Sequence, residues 1–566
     1  MRRLSTILLL IGLCVGPLLA TTGAQEVIPL SDPIYQEMDL LYLITGTGTP
    51  SASRPWTKAE AQNLLSYVSS GEEGSTQHAL YTSIHQTAYE SLRWMFPDEF
   101  ALSANLDLSL EGYAHHNPSY NSLGRWNYAF PDRKPLARLR LDMAISDFFY
   151  TYSDLQYGYG LYTYDDVIPH LYSDSEYTSV GALIPDARIN DILYVDADTP
   201  LIQYQKRFAN NLIPASKHFD FQWPKRAVFS VGSQHWNLTF SRDRISWGNS
   251  RIGNFILDDH VDFHEYLRFT AFSKYFKYEA LTVFFDTYYA DEPHIRMLLA
   301  HRLEFRPWEK LTLAISENVM YKDDFLDVRF LNPSFIYHNL HQRSKFNAIA
   351  HAELAYVPVS GIRLYGQFAL DQAVAPNEDP DEEDTAWALS LGLEVAKPLE
   401  KGVLSSALEA SMALPSMYRR DSVDFLMIRR YAGLGRTVHL LDYIGSPYGG
   451  DAVVFLSETT YHVPSAGTLS LTLITALKGE IDMYTPNIGG TTDYGAVLFS
   501  QNLISTAFSA TLSGMKEIEL SSNTIESWKI YSSLSYLSFG EYLQSSHTFT
   551  ENSWDIQVVL GTSVTF

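Results

Sequence analysis

From Ala101 to the final Phe566 the chain keeps returning to one pattern, with apolar residues at every second position and small, polar or charged ones between. Leu102, Ala104, Leu106, Leu108 and Leu110 alternate with Ser103, Asn105, Asp107 and Ser109. Ala137, Leu139, Leu141, Met143 and Ile145 alternate with Arg138, Arg140 and Asp142. Met297, Leu299, Leu303 and Phe305 oppose Arg302 and Glu304. Trp387, Leu389, Leu391, Leu393 and Val395 oppose Ala388, Ser390, Gly392 and Glu394. Leu469, Leu471, Leu473 and Leu477 oppose Ser470 and Thr472, and Leu281, Val283 and Phe285 give a less regular case. Successive side chains on a strand point to opposite faces, so a period of two marks strands with one apolar face.

Such strands suit two architectures. In a sandwich the polar face meets bulk water. In a membrane barrel it lines the lumen, where Arg138, Arg140 and Arg302 meet opposite charges. The extent of the region decides between them. At roughly 25 residues per strand and connection it holds about 16 to 20 strands, the size of a large barrel. The end of the chain agrees. Trp554, Ile556, Val558, Leu560, Thr562, Val564 and Phe566 form one face of a strand running to the last residue, and Asp555, Gln557, Val559, Gly561, Ser563 and Thr565 the other. An unpaired terminal strand would expose a row of backbone donors and acceptors. In a barrel it pairs with the first strand, near Leu102 to Leu110. The expected fold is an all-β transmembrane barrel of antiparallel strands over 101–566, with the Trp554 face towards lipid. Aromatic residues, 14% of the chain, suit the girdles of such a barrel.

The start of the chain points to export. Met1-Arg2-Arg3 precedes an apolar run from Leu4 to Leu19, broken by Gly12, Gly16 and Pro17, and small residues follow at Ala20, Thr22 and Ala24. This is the layout of a signal peptide over 1–24, with Ala24 or Ala20 the last residue removed. The one cysteine, Cys14, lies inside that leader and lacks the small residues that lipidation needs before it. The mature chain thus has no thiol for catalysis, metal ligation or disulfides. The formal charge of −24 argues against nucleic acid, whose phosphates would be repelled.

Residues 25–100 read as a small helical module on the periplasmic side. Asp32-Pro33 opens a helix through Ile44, with Ile34, Met38 and Leu41 at helical spacing and Gly46 beyond its end. Thr57 and Glu60 form a capping box ahead of Leu64, Leu65 and Val68. A third helix is expected from about His78 to Met95, before Pro97.

Polar insertions at Asn117 to Pro135, Asp165 to Pro185 and Asn377 to Asp384 read as external loops, or in one case as a constriction of the lumen. They and their neighbours supply Trp126, Tyr128, Tyr162, Tyr164 and Tyr172, residues suited both to sugar stacking and to interfacial anchoring. No nucleophile–base constellation, phosphate loop or metal-binding helix motif stands out, so neither an enzyme nor a cofactor is expected. His260 and His264 have a metal spacing only on a helix, and they fall where a loop enters a strand. The 377–384 acidic run lacks an ordered ligand spacing, and with His115-His116 it reads as solvated surface.

Several irregular stretches combine Gly with aromatic and charged residues. They are Arg244-Ile-Ser-Trp247-Gly248, Asn332-Pro333, Tyr365-Gly-Gln367 with Asp371, and Gly445-Ser-Pro-Tyr-Gly449-Gly450-Asp451. Turns, bulges and lumen charge pairs account for such residues. In this order, with Tyr35, Leu41, Gly46 and Arg54-Pro55 ahead of them, they resemble the capsule assembly Wzi family. The resemblance implies an outer-membrane barrel of about 18 strands with a periplasmic helical bundle. It also implies lectin-like attachment of capsular or other surface polysaccharide. Arg244, Trp247, Gly248, Asn332, Tyr365, Gln367, Asp371, Gly449 and Asp451 are the motif positions it offers as binding residues. The terminal aromatic resembles the signal by which the barrel assembly machinery takes up outer-membrane proteins. A porin or solute channel is the alternative function.

Overall fold

The computed structural model describes residues 23–96, 100–117, 134–158, 208–212, 220–222, 224–285, 295–323, 328–332, 336–337, 346–372, 386–419, 423–433, 436–483, 497–518 and 525–566. Residues 1–22 of the expected leader, the stretches 118–133, 165–185 and 377–384, Pro333, and the loop aromatics from Trp126 to Tyr172 lie outside them. Among the described residues, eighteen antiparallel strands close into one barrel. The first is Phe100–His115 and the last Thr548–Thr565. These two pair from Gln557 opposite His115 to Thr565 opposite Asp107, and Phe566 exchanges both backbone hydrogen bonds with Leu106. The seam therefore sits higher on the first strand than the alternation alone placed it. Its lower part is occupied, because Trp94–Phe96 forms a short strand against Phe100–Leu102. The third helix accordingly ends at Tyr89 rather than at Met95, and the aromatic residues after it extend the sheet at the seam.

The two faces separate as the period requires. Leu391 is 60% exposed and Leu560 61%, while Ser390, Glu394 and Asp555 on the alternate faces are buried. The exposed apolar stripe is the surface a bilayer covers. Mid-strand charges turn inward and pair: Arg138 Nε donates to Asp154 at 2.8 Å, and Arg140 lies 3.2 Å from Asp107. At the seam His115 bonds Asp555 at 3.1 Å and His116 stacks on Trp554 at 5.1 Å. Leu560→Arg should destabilise the barrel in lipid vesicles by about 2–4 kcal/mol, with Ser563→Arg on the lumen face costing less. Equal losses in urea titrations would contradict the facing assigned here.

Two places depart from the simple pattern. Leu281 and Val283 face the lumen and join its apolar core. Met297 and Leu299 share the outer face with Leu303, yet Phe330 and Tyr337 cover them, because a segment beyond the strand Leu311–Asp323 folds back over the wall. Tyr337 stacks on His301 at 4.4 Å.

The N-terminal module comprises α1 (Ile34–Thr45), α2 (Lys58–Leu65) and α3 (Thr76–Tyr89). Pro33 precedes α1, and Gly46 ends it in the left-handed conformation (φ 74°) that glycine adopts without strain. Thr57 caps α2 by accepting from the Glu60 N–H at 3.2 Å. The Glu60 side chain does not complete a capping box: its carboxylate accepts from Lys277 Nζ on the barrel wall at 2.6 Å. Ile34, Met38, Leu41, Leu65, Leu80 and Ile84 pack with Val357, Ala396 and Val403 of the barrel. The module meets one short turn after another. Gln25 donates to the Asp147 carbonyl at 2.9 Å, Gly361 N–H donates to Leu43 at 2.8 Å, and Ser465 donates to Ser83 at 3.3 Å. Short turns mark the periplasmic end of outer-membrane barrels, so the helices lie across that end.

Candidate functional site

The lumen is where the irregular motifs meet. After α1 the chain enters the barrel in extended form. Thr49 donates to Thr312 at 3.0 Å, and Ser51 to Glu304 at 3.2 Å. Ser53 and Arg268 both bond Glu279, while Lys277 Nζ donates to the Ser53 carbonyl at 2.9 Å. From the opposite end, the connection between the strands Trp236–Asp243 and His264–Phe272 turns inward. The two segments pair inside the barrel, Ser53 opposite Trp247 and Arg54 opposite Ser246. Gly248 N–H then donates to the Ala52 carbonyl at 3.0 Å.

Most of the motif residues hold this inward segment. Arg244, half-buried, starts it, its N–H bonded to Asp243 at 2.9 Å. Trp247 is fully buried beside Phe255, Ile256 and Leu257, with the Arg302 guanidinium 5.9 Å from its ring. Gly248 sits at φ 130°, and a Cβ there would strike the side chains of Gln367 and Asn254. Gln367 donates to Asn254 at 2.6 Å and accepts from the Phe255 N–H at 3.2 Å. Asn254 in turn donates to Ser246 at 3.0 Å. Tyr365 donates to Glu409 at 2.9 Å, and Glu409 accepts from Ser250 and from the Arg251 N–H. The Arg251 guanidinium bridges Glu394, at 2.6 Å, and Glu458.

Asp371 accepts from Tyr418 N–H at 2.6 Å, and Tyr418 OH donates to the Phe255 carbonyl at 2.9 Å. A second connection, of which 414–419 and 423–425 are described, thereby packs against the first. Gly449 leaves room for the Tyr443 ring. Asp451 accepts from Phe499 N–H at 2.8 Å. Asn332 stands apart on the outer-wall segment and is exposed. His260 bonds Asp258 at 2.7 Å and His264 packs edge-on to Phe285, so neither faces the other across a metal site. Sequence reasoning missed Arg251, Asn254 and Glu409. The available signal was Phe255-Ile256-Leu257, an apolar run inside a connection that solvent exposure would have made polar.

Beside the inward segment the lumen keeps a cavity of about 870 Å³. It lies between α1 and α3 on one side and the strands Val403–Ala413, Ala452–Val463 and Gly467–Lys478 on the other. At its helical wall, Asp32 is raised above the usual carboxylate range by burial, partly offset by the Ile34 N–H. Burial also raises Asp39, but Arg54 and Arg363 outweigh it and hold that carboxyl below its ordinary value. His462 spans the gap to α1 by bonding Glu37 at 3.0 Å.

No protein-family model matches the chain, and no curated protein matches it. Among solved structures, Wzi superposes with a TM-score of 0.54 at 11% identity, over 96% of this chain and 99% of its own. It is described as an outer membrane protein involved in group 1 capsule assembly in Escherichia coli and as a carbohydrate-binding β-barrel. OccD1 (OprD) and Acinetobacter baumannii OccAB4 cover 84% and 83% of this chain and 97% and 100% of their own, with TM-scores of 0.38 and 0.37 at 8% identity. The chain is an eighteen-stranded outer-membrane β-barrel with the fold of Wzi, and its N-terminal helices lie across the periplasmic end.

Proposed function

We propose that this protein anchors, or helps to assemble, capsular or other surface polysaccharide at the outer membrane, without catalysing a reaction. The observation that carries this reading is the pairing of Ser53–Arg54 with Ser246–Trp247 inside the barrel. Segments from both ends occupy the lumen, an arrangement that suits a holding role better than diffusion through a wide pore. The shared fold with a carbohydrate-binding barrel supports the same reading. In it, the leader is removed, the barrel assembly machinery inserts the chain, and external loops meet the glycan. Of the motif residues, Trp247, Gly248, Tyr365, Gln367, Asp371, Gly449 and Asp451 act by shaping the lumen rather than by touching glycan.

A strain lacking the protein should lose or shed surface polysaccharide, and the purified barrel should retain that polysaccharide in a pull-down. Normal surface polysaccharide together with no retention would refute the reading. The solute-channel alternative draws on the polar cavity beside the inward segment, and bilayer conductance separates the two.

A further inference from the structure

The cavity beside the inward segment has a volume of about 870 Å³, within the range of pockets that enclose small organic ligands. Nine carboxylates line it against four arginines and lysines. The cations are already matched. Arg54 pairs with Asp39 at 2.7 Å, Arg251 with Glu394 and Glu458, and Arg363 with Glu394. Lys529 lies 3.6 Å from Glu517, and Arg93, at the edge of the cavity, holds Glu526 at 3.2 Å. Among the described residues, the lining carboxylates Asp32, Glu37 and Glu90 form no ion pair with lysine or arginine. The unmatched charge in the lining is therefore negative.

Buried acceptors accompany that charge. Glu37 is 2% exposed; His462 holds its Oε1 at 3.0 Å, and its Oε2 has no hydrogen bond among the described residues. Ser405, 6% exposed, also lines the cavity, and its hydroxyl has no hydrogen bond among the described residues. The two sit in adjacent layers of the wall, since Val403 stands opposite His462 and Ser405 opposite Thr460. Asp32 precedes Glu37 by about 7–8 Å along the axis of α1.

We propose that this cavity binds a linear polyamine entering from the periplasmic side, where α3 and the turn at Ser465 rim it. An ammonium group carries three donors and no acceptor, which suits Asp32, Glu37 and Ser405. Among the described residues, no three histidine, aspartate or glutamate side chains gather closely enough to hold a metal ion. The acceptors are strung along the cavity instead, and a chain of ammonium groups matches that spacing where a point cation does not. The proposal does not depend on the protein holding surface polysaccharide.

Cys14, in the expected leader, is the one cysteine of the sequence, so Ser470→Cys places a unique thiol in the cavity of the processed protein. A neutral methanethiosulfonate reads access to that thiol without charge bias. In purified, detergent-held barrel, saturating spermidine should slow modification about fivefold, and magnesium chloride of equal ionic strength should not. Asp32→Asn with Glu37→Gln should raise the half-protecting spermidine concentration about tenfold, and Ser405→Ala should raise it less. Ser83→Cys, on α3, is an independent reporter should Ser470→Cys fold poorly, and heat-modifiable migration establishes folding of each variant. No protection by spermidine, equal protection by magnesium, or unchanged protection in a folded Asp32→Asn, Glu37→Gln variant would overturn the proposal.

Discussion

Planar bilayers containing the intact protein should carry no stepwise current, whereas a variant lacking both 26–93 and 249–257 should conduct. The reason is that two segments fill the lumen, paired with each other and each also tied to the wall. The helices and the extended Thr49 to Pro55 stretch enter from the periplasmic end and bind Thr312, Glu304 and Glu279 on the wall. The inward segment enters from the other end and is held by Glu409, Gln367, Glu394 and Glu458. Either deletion alone leaves the other segment in place, so each should conduct far less than the double variant. The lumen face left behind is polar and takes up water. Heat-modifiable migration on detergent gels establishes that each variant is a folded barrel. A large steady conductance from the intact protein would favour the solute-channel reading. Silence from a folded double variant would mean that other residues block the lumen.

The second large effect is expected at Arg302. Its side chain is almost wholly buried, bonds both carboxylate oxygens of Glu353, one at 3.1 Å, and lies 3.3 Å from Glu304. Arg302→Met removes the cation and leaves two buried carboxylates without it, a change that costs about 3–5 kcal/mol. Arg302→Met with Glu353→Leu should recover most of the loss. A buried pair replaced by apolar groups of similar size is often close to neutral, and Glu304 keeps its contact with Ser51. Reversible urea unfolding in vesicles measures both. A single variant as stable as the parent would show that the pair contributes nothing, and a double variant no better than the single would show that packing, not charge, fails.

Much of the barrel was legible because a strand repeats every two residues and a bilayer demands an apolar stripe from each one. Leu391 against Glu394, and Leu560 against Asp555, are assignments that local spacing makes by itself. Helix ends were legible for the same reason. Pro33, Gly46 and Thr57 act on the backbone within a turn of their own position. Glu60 shows where that reach ends. Its capping role was the local optimum, but Lys277, more than two hundred residues away in sequence, takes the carboxylate. Trp94–Phe96 likewise continued a helical spacing, and a vacant sheet edge below the seam drew it into a strand.

What the sequence determined by itself is the architecture: an exported chain, a closed transmembrane barrel, a helical module before it, and charged residues turned to the lumen. Each follows from periodicity, a local cap or a local composition. Only the tertiary structure decided what fills the lumen. Trp247, Gly248, Gln367 and Asp371 read as turn and motif residues along the chain. They became braces because folding brought the inward segment against the strand Ile362–Gln372. The hydrogen bonds and ion pairs that tie that segment to the wall join residues more than a hundred positions apart, and no spacing rule records such partners.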